Sequence, residues 1–213
     1  LIESQMDALL ATVDMEYNGL YFDLEVAQRL ANEVLEKFND ARSFIVNFMD
    51  DMGIIDPNPS SNDHLSLLLF GGIQKYMESV PVLSMGEPVR FKSGKRKGEV
   101  KTKKVELSKF IKGSFISDVE WATKKKGFYK TNDEIIKTLL EKYTPLRKGA
   151  SEIALLRIIL NYRRHNKDLN TYYKGLVDLT WPTDGCIHGN LNMCSTDTGR
   201  LSSSKPNLQN MSN

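Results

Sequence analysis

Cysteine is nearly absent: the 213 residues hold two, Cys186 and Cys194, whose spacing matches no zinc motif. Free thiols in a reducing compartment suit them better than a disulfide framework. Long apolar runs are also missing. No stretch nears the ~20 residues that cross a bilayer, and a start carrying Glu3, Gln5 and Asp7 is unlike a signal peptide. A soluble, cytoplasmic protein with no membrane partner is therefore expected. Aromatic residues make up 9% against 40% hydrophobic, so the core should be mostly aliphatic. A large charge of one sign is lacking as well: the net is +2, so composition alone does not point to nucleic acid. The distribution is uneven, with Asp50, Asp51 and Asp56 early and strongly basic stretches at 90–112 and 147–174. The chain begins at Leu1 rather than Met and ends in Met211-Ser212-Asn213, with no tail composition or helix stop. A fragment, or a processed or split product, is the expectation.

What is present is mainly helical. Ile2, Met6, Leu9, Leu10 and Val13 recur at helical spacing up to Asn18-Gly19, which tolerate the left-handed turn of a helix end. Asp23 can cap a second helix whose stripe of Val26, Leu30, Val34, Phe38, Ala41, Ile45 and Met49 runs until Gly53. At 1.5 Å per residue it would be on the order of 40 Å long and needs a long partner. The stretch opened by Ser151-Glu152 supplies one, carrying Ile153, Leu156, Ile159, Leu160, Tyr162, Leu169, Tyr172 and Tyr173. Two such antiparallel helices would make a projecting arm.

Between them, Pro57-Asn58-Pro59-Ser60-Ser61 reads as a turn and cap, followed by a short helix over 64–70 closed by Gly71-Gly72. Thr131-Asn132-Asp133-Glu134 has the pattern of a capping box ahead of a helix over 135–143. Residues 89–100 show apolar alternation on both sides of a Gly-bounded basic turn and read as a β-hairpin. After the second long helix, Trp181-Pro182 ends helical structure, Asp184-Gly185 turns the chain, 186–193 reads as one strand, and the remainder reads as loop.

That final segment, Thr198-Gly199-Arg200-Leu201-Ser202-Ser203-Ser204-Lys205-Pro206-Asn207-Leu208-Gln209-Asn210, offers a guanidinium, three carboxamides and three successive hydroxyls. In the DNA minor groove every correct base pair presents acceptors at purine N3 and pyrimidine O2. An Arg fork or an Asn or Gln amide placed there tests pair geometry while ignoring sequence, as copying a template requires. Hydroxyls and backbone N–H groups can meanwhile hold phosphates. The bland alternative is a surface loop whose Ser and Asn cap turns.

The order of these residues resembles the segment that opens the palm of family A DNA polymerases, the bacterial polymerase I group. The likeness extends backwards. His188-Gly189-Asn190-Leu191-Asn192 is similar to the strand entering that motif. Tyr162-Arg163-Arg164 with Lys167-Asp168-Leu169-Asn170-Thr171-Tyr172 is similar to the thumb helix and the Lys-x-x-x-Thr-Tyr pattern that follows it, and Phe128-Tyr129-Lys130-Thr131-Asn132-Asp133-Glu134-Ile135 to the family's Tyr-Ser-Thr-x-x-Glu-Val stretch. Pro59-Ser60-Ser61 with Leu65 and Leu69-Phe70 resembles the thumb turn, and residues 13–23 the helix that follows the exonuclease domain.

The resemblance implies a mainly α fold with a small β component: a connector helix over 1–22, a thumb over 23–180 with a basic hairpin inserted at about 86–107, and the start of a palm over 181–213. It implies that Arg200, Asn207, Gln209 and Asn210 meet primer-template DNA, with Thr198, Ser202 and Ser203 beside them, and that Arg163, Lys167 and Thr171 face the duplex backbone. The hairpin has no counterpart in the bacterial enzymes, which admits phage or organellar ancestry alongside a bacterial cytoplasm. Met211-Ser212 stands where the family usually has Ile-Pro. Lys92, Lys95, Arg96 and Lys97 on the hairpin admit three roles: binding DNA phosphates, docking a processivity or accessory protein, or a merely solvated face.

The catalytic carboxylates of such an enzyme, which hold two Mg²⁺ ions about 3.5 to 4 Å apart, have no counterpart in the chain. Asp50-Asp51 cannot stand in, because adjacent helical residues do not face each other. His64, His165 and His188 suit packing or hydrogen bonding better than metal ligation. The chain is thus expected to grip primer-template for DNA replication, to be inactive alone, to carry no catalytic or metal-binding residue, and to need a second polypeptide bearing the rest of the palm and fingers, where Mg²⁺ would bind. The rival readings are a stand-alone DNA-binding or clamp-like module and a partner-docking subunit.

Overall fold

The computed structural model describes residues 2–145, 149–193, 195 and 200–207. Helix α1 (Ile2–Asn18) stops where Gly19 adopts φ +67, a conformation that costs a residue without Cβ little. After β1 (Leu20–Tyr21), the Asp23 carboxylate accepts the Val26 N–H at 3.0 Å and caps α2 (Leu24–Asp51). Helix α2 ends at Gly53, φ +75, as the sequence suggests. Two compact units result, Leu1–Arg42 with Ile158–Asn213 and Ser43–Arg157. The division falls inside α2 and inside α5 (Ala150–Lys167).

The Ser43–Arg157 unit is built on α3 (Asn62–Phe70), in which Leu65, Ser66, Leu67, Leu68 and Leu69 are all buried. A helix apolar on every side belongs in a core, and each such leucine contributes about 1.5 to 3 kcal/mol. Ser61 caps it by accepting the His64 N–H, and Gly71 closes it at φ +76. Ile45, Met49, Ile136, Leu139, Leu155 and Leu156 complete an aliphatic core. At α4 (Asp133–Tyr143) the cap residue is Asn132 rather than Thr131: the Asn132 side chain makes no capping bond and donates instead to Glu134 Oε2 at 3.2 Å, while Thr131 is buried and donates to Asn62 Oδ1 at 3.4 Å.

The chief departure from the sequence reading lies between these helices. Strands β2 (Gly71–Pro81) and β5 (Thr102–Lys112) form an eleven-pair antiparallel ladder, from Gly71↔Lys112 to Pro81↔Thr102. The paired region therefore begins well before residue 86 and ends after 107. At its far end the ladder forks at Val82, Val89 and Lys101: Val82 N–H donates to Lys101 O, Val89 N–H to Val82 O and Lys101 N–H to Val89 O. One prong is β3 (Leu83–Ser84) with β4 (Glu87–Pro88), turned by Met85 and Gly86 at φ 51 and 89 as a two-residue hairpin loop demands. The other spans residues 90–100, with a bridge at Arg90↔Val100.

The ladder's root is locked to the core. Gln74 is buried and makes both amide bonds to Ile55, accepting its N–H at 2.8 Å and donating to its carbonyl at 2.7 Å. Phe115 N–H donates to Leu69 O at 2.7 Å, and Gly113 lies so close to Phe70 and Gly71 that a Cβ there would meet backbone at 2.1 and 2.3 Å. Phe70 packs on Trp121 and Tyr129, with centroids 5.7 and 5.4 Å away.

In the other unit, Phe38 of α2 stacks on Tyr162 of α5 at 5.0 Å. Helix α5 does not run on as an α-helix: Asp168–Lys174 is π-helical before α6 (Gly175–Leu179). Two further corrections concern the end of the chain. The single strand expected over 186–193 is two, β6 (Cys186–Ile187) paired with β1 and β7 (Asn190–Asn192). Part of the expected loop is a strand, β8 (Ser202–Ser204), paired with β7.

Candidate nucleic-acid interface

The β7–β8 hairpin has three residue pairs, Asn190↔Ser204, Leu191↔Ser203 and Asn192↔Ser202. So short a ladder is marginal by itself and is held from outside. Glu16 of α1 accepts the Leu191 N–H at 2.5 Å. His188, between β6 and β7, is fixed at both ring nitrogens, Nδ1 at 2.8 Å from Glu16 O and Nε2 at 2.9 Å from Asp184 Oδ2. Its ring packs on Trp181 with centroids 4.8 Å apart, and a Cβ added at Gly19 would lie 2.9 Å from His188 Cε1. Asp184 also accepts the Cys186 N–H at 2.9 Å, which sets the turn into β6.

Both His188 bonds can donate at once only in the imidazolium form. The Glu16 carbonyl and then the Asp184 carboxylate accordingly raise the His188 pKa above its ordinary value. Asp184 moves the other way: the Cys186 N–H first, and His188 next, favour its carboxylate and lower its pKa.

Strand alternation sorts the polar side chains. Asn190, Asn192, Ser202 and Ser204 share one face, while Leu191 and Ser203 share the other. Ser203 is buried; Ser202 donates to Asn192 O at 3.4 Å and Asn192 donates to Ser204 Oγ at 3.4 Å. Two carboxamides thus join the two hydroxyls, a contribution the sequence reading missed although Asn-Leu-Asn carries the period-two signal. Arg200 lies just before β8 and Asn207 just after Pro206, both exposed. Thr198, Gln209 and Asn210 lie outside the described residues.

Arg163, Lys167 and Thr171 fall at i, i+4 and i+8 of the helical run, which suits one face. Lys167 and Thr171 are exposed and Arg163 is half-buried. The π-helical turn carries Thr171, and Lys167 Nζ lies 5.8 Å from the centre of the Tyr172 ring. Such turns often mark functional sites. A cavity of about 460 Å³ beside it is lined by Asp23 and Asp168 as well as Arg164, a rim poorly suited to phosphate.

Lys92, Lys95, Arg96 and Lys97 stand exposed on the 90–100 prong of the other unit. Arg96 pairs with Glu99 at 2.6 Å and lies over Phe91, and Arg90 donates to Gly98 O at 2.7 Å. The other two histidines have structural surroundings: His64 Nδ1 accepts the Asn58 N–H at 3.1 Å, and burial lowers the pKa of both His64 and His165. Among the described residues no group of three or more His, Cys, Asp or Glu is placed to hold a metal ion. None of their helices is long and apolar enough to cross a membrane.

The sequence model of DNA polymerase family A matches residues 66–213. The chain belongs to DNA polymerase family A. Among relatives in this family, DNA polymerase I of Bacillus subtilis is 27% identical over 194 residues, 88% of this chain and 19% of that protein. DNA polymerase I of Caldicellulosiruptor bescii is 36% identical over 88 residues, 41% of this chain and 9% of that protein. The thermostable DNA polymerase I of Thermus thermophilus is 51% identical over 53 residues, 25% of this chain and 6% of that protein. The chain therefore spans less than a fifth of the length of each of these relatives. Its fold is like that of the POL domain of Pol1 from M. smegmatis, solved in complex with DNA primer-template and dNTP, with a TM-score of 0.58 at 22% identity over 95% of this chain and 25% of that one.

Proposed function

We propose that this chain is the primer-template-gripping portion of a DNA-directed DNA polymerase, comprising the thumb and the first strands of the palm. Family membership supports the reading, and the observation that carries it is the polar β7–β8 face flanked by Arg200 and Asn207. Arg200, Asn207, Gln209 and Asn210 would read the minor-groove edge of the primer terminus through acceptors common to all correct pairs. Ser202, together with Asn190 and Asn192, would hold the adjoining backbone, while Arg163, Lys167 and Thr171 would face the duplex from the helical run. Thr198 completes the segment; the buried Ser203 anchors the strand.

The two-metal chemistry of nucleotidyl transfer would fall to carboxylates of the remaining palm and fingers rather than to residues of this chain. What this chain's residues contribute is placement of the primer end, which is where positioning energy lowers the barrier. Primer extension tests the reading. The chain alone, with Mg²⁺ and all four dNTPs, should extend nothing, and addition of a polypeptide with the rest of the palm and fingers should restore synthesis. Extension by the chain alone, or duplex binding without any complementation, would overturn it.

A further inference from the structure

The β2–β5 ribbon and its forked end concentrate positive charge that the rest of the molecule lacks. Residues 71–112 hold eleven Lys and Arg against four Glu, a net of +7, whereas the whole chain has 29 basic and 27 acidic residues for +2; the remainder is −5. Some of this charge is spent internally. Lys75 pairs with Glu106 at 2.7 Å, Arg96 with Glu99, and Lys109 donates to Gly53 O at 2.7 Å. Lys92, Lys95, Lys97, Lys103 and Lys104 are all exposed, and among the described residues none of them forms an ion pair with an acidic side chain.

We propose that this ribbon is a second DNA-binding element, a phosphate-tracking arm that acts without regard to base sequence. The inference rests on the reading of the chain as a DNA polymerase portion and adds a site to it. Three observations favour DNA over an acidic protein. Lys103 and Lys104 are neighbours on one strand and so project to opposite faces, which suits a rod lying against backbones on two sides better than a flat docking face. The cations left available are lysines, point charges without the planar fork that specifies a partner, and lysine is depleted at protein interfaces. The one aromatic ring at the far end, Phe91, is already covered by Arg96 and Lys101 at 4.9 and 5.3 Å. The ladder is also long and firmly mounted: eleven pairs at about 3.4 Å each span about 35 Å, and Gln74, Gly113 and Phe115 fix its root. A two-stranded ribbon of this kind is narrow enough to enter a major groove.

The test uses the 213-residue chain and a duplex of arbitrary sequence, with binding followed by fluorescence anisotropy from roughly 50 to 200 mM salt. The variant Lys92→Gln, Lys95→Gln, Lys97→Gln, Lys103→Gln and Lys104→Gln should bind more than tenfold more weakly at the low-salt end. Its log–log salt slope should be shallower by about 0.9 for each phosphate that is no longer neutralised, about 2 to 4 in all. Replacing the same five residues by Arg should restore the slope, and unrelated duplexes should behave alike. An unchanged slope in a Gln variant with the parent's circular dichroism would overturn the proposal and leave an acidic protein as the ribbon's partner. Arg200→Ala, measured in parallel, separates the two readings. If it weakens binding while the ribbon variant does not, only the ribbon inference fails; if the parent chain binds no duplex, both fail.

Discussion

The β2–β5 and β7–β8 antiparallel hairpins solve the same problem in opposite ways. The β2–β5 ribbon has eleven pairs and is locked at its root, and its far end carries its own hydrogen-bonded fork. The β7–β8 hairpin has three pairs and depends on a carboxylate and an imidazole supplied by residues outside it. A long ladder can present a diffuse charge, for which exact placement matters little. Reading base-pair geometry needs a few donors held closely, so the short hairpin is pinned near the residues proposed to do it. The difference teaches that anchoring, more than strand length, should decide which site is sensitive to substitution at a distance.

The largest expected effect is at the ribbon's root. Gly113→Ala places a Cβ 2.1 Å from Phe70 backbone, and we expect a loss of about 5 kcal/mol in thermal or denaturant unfolding. Loss of amide protection across β2 and β5, with the β7–β8 amides unaffected, would confirm that the two hairpins are independent. Next comes Leu68→Ala in α3, fully buried, at about 2 to 5 kcal/mol from lost burial and the cavity left behind. If the β7–β8 amides exchanged faster in this variant too, the separation of the two regions would be broken.

Glu16→Gln should cost less, about 1 to 3 kcal/mol, because a charge-assisted bond to the Leu191 N–H is replaced by a weaker one. Faster hydrogen exchange at Leu191 with unchanged exchange at Gln74 is the expected signature. The smallest effect is the pH dependence of the His188 clamp. A raised pKa means that the folded state gains from the imidazolium. Its contribution is complete below the unfolded value near 6.5 and fades as pH rises through the raised folded value. Asp184, with a lowered pKa, contributes above its unfolded value near 3.8 and loses that contribution as pH falls through the lowered one. Between these limits the clamp is strongest. His188→Gln should flatten the alkaline limb of a stability–pH curve; an unchanged limb would mean that the pinning is not electrostatic.

Much of this was legible in the sequence, for identifiable reasons. The α2 stripe, the Asp23 and Ser61 caps and the glycines at 19, 53 and 71 are local signals that local physics obeys. The C-terminal motif named the family because its residue order is specific. The ribbon was only partly legible. In β2 the apolar residues Ile73, Tyr76, Met77 and Val80 follow helical spacing, and the strand exists because β5 pairs with it from 21 to 41 residues away. Ile73 and Phe110 face each other across that ladder yet remain 59% and 74% exposed, so burial leaves no period-two imprint there. The β8 strand was hidden for a related reason. Ser-Ser-Ser before Lys-Pro reads as a loop, and its partner β7 is held by Glu16, 175 positions before Leu191. The π-helical turn left no composition signal recognisable in Asp168–Lys174.

The Glu16–Leu191 bond has a further consequence, for the order in which the chain can acquire its structure. Ser43–Arg157 is contiguous, and its internal packing can form in full once residue 157 has left the ribosome. The other unit is split around it, and its pin between α1 and β7 waits for a residue synthesised much later. Helix α1 must therefore wait for 175 further positions to be synthesised before it meets the strand it will hold. The long loop closure this requires slows folding more than it lowers final stability. The inner unit should be able to fold first, and the geometry proposed to read the primer end should form after it.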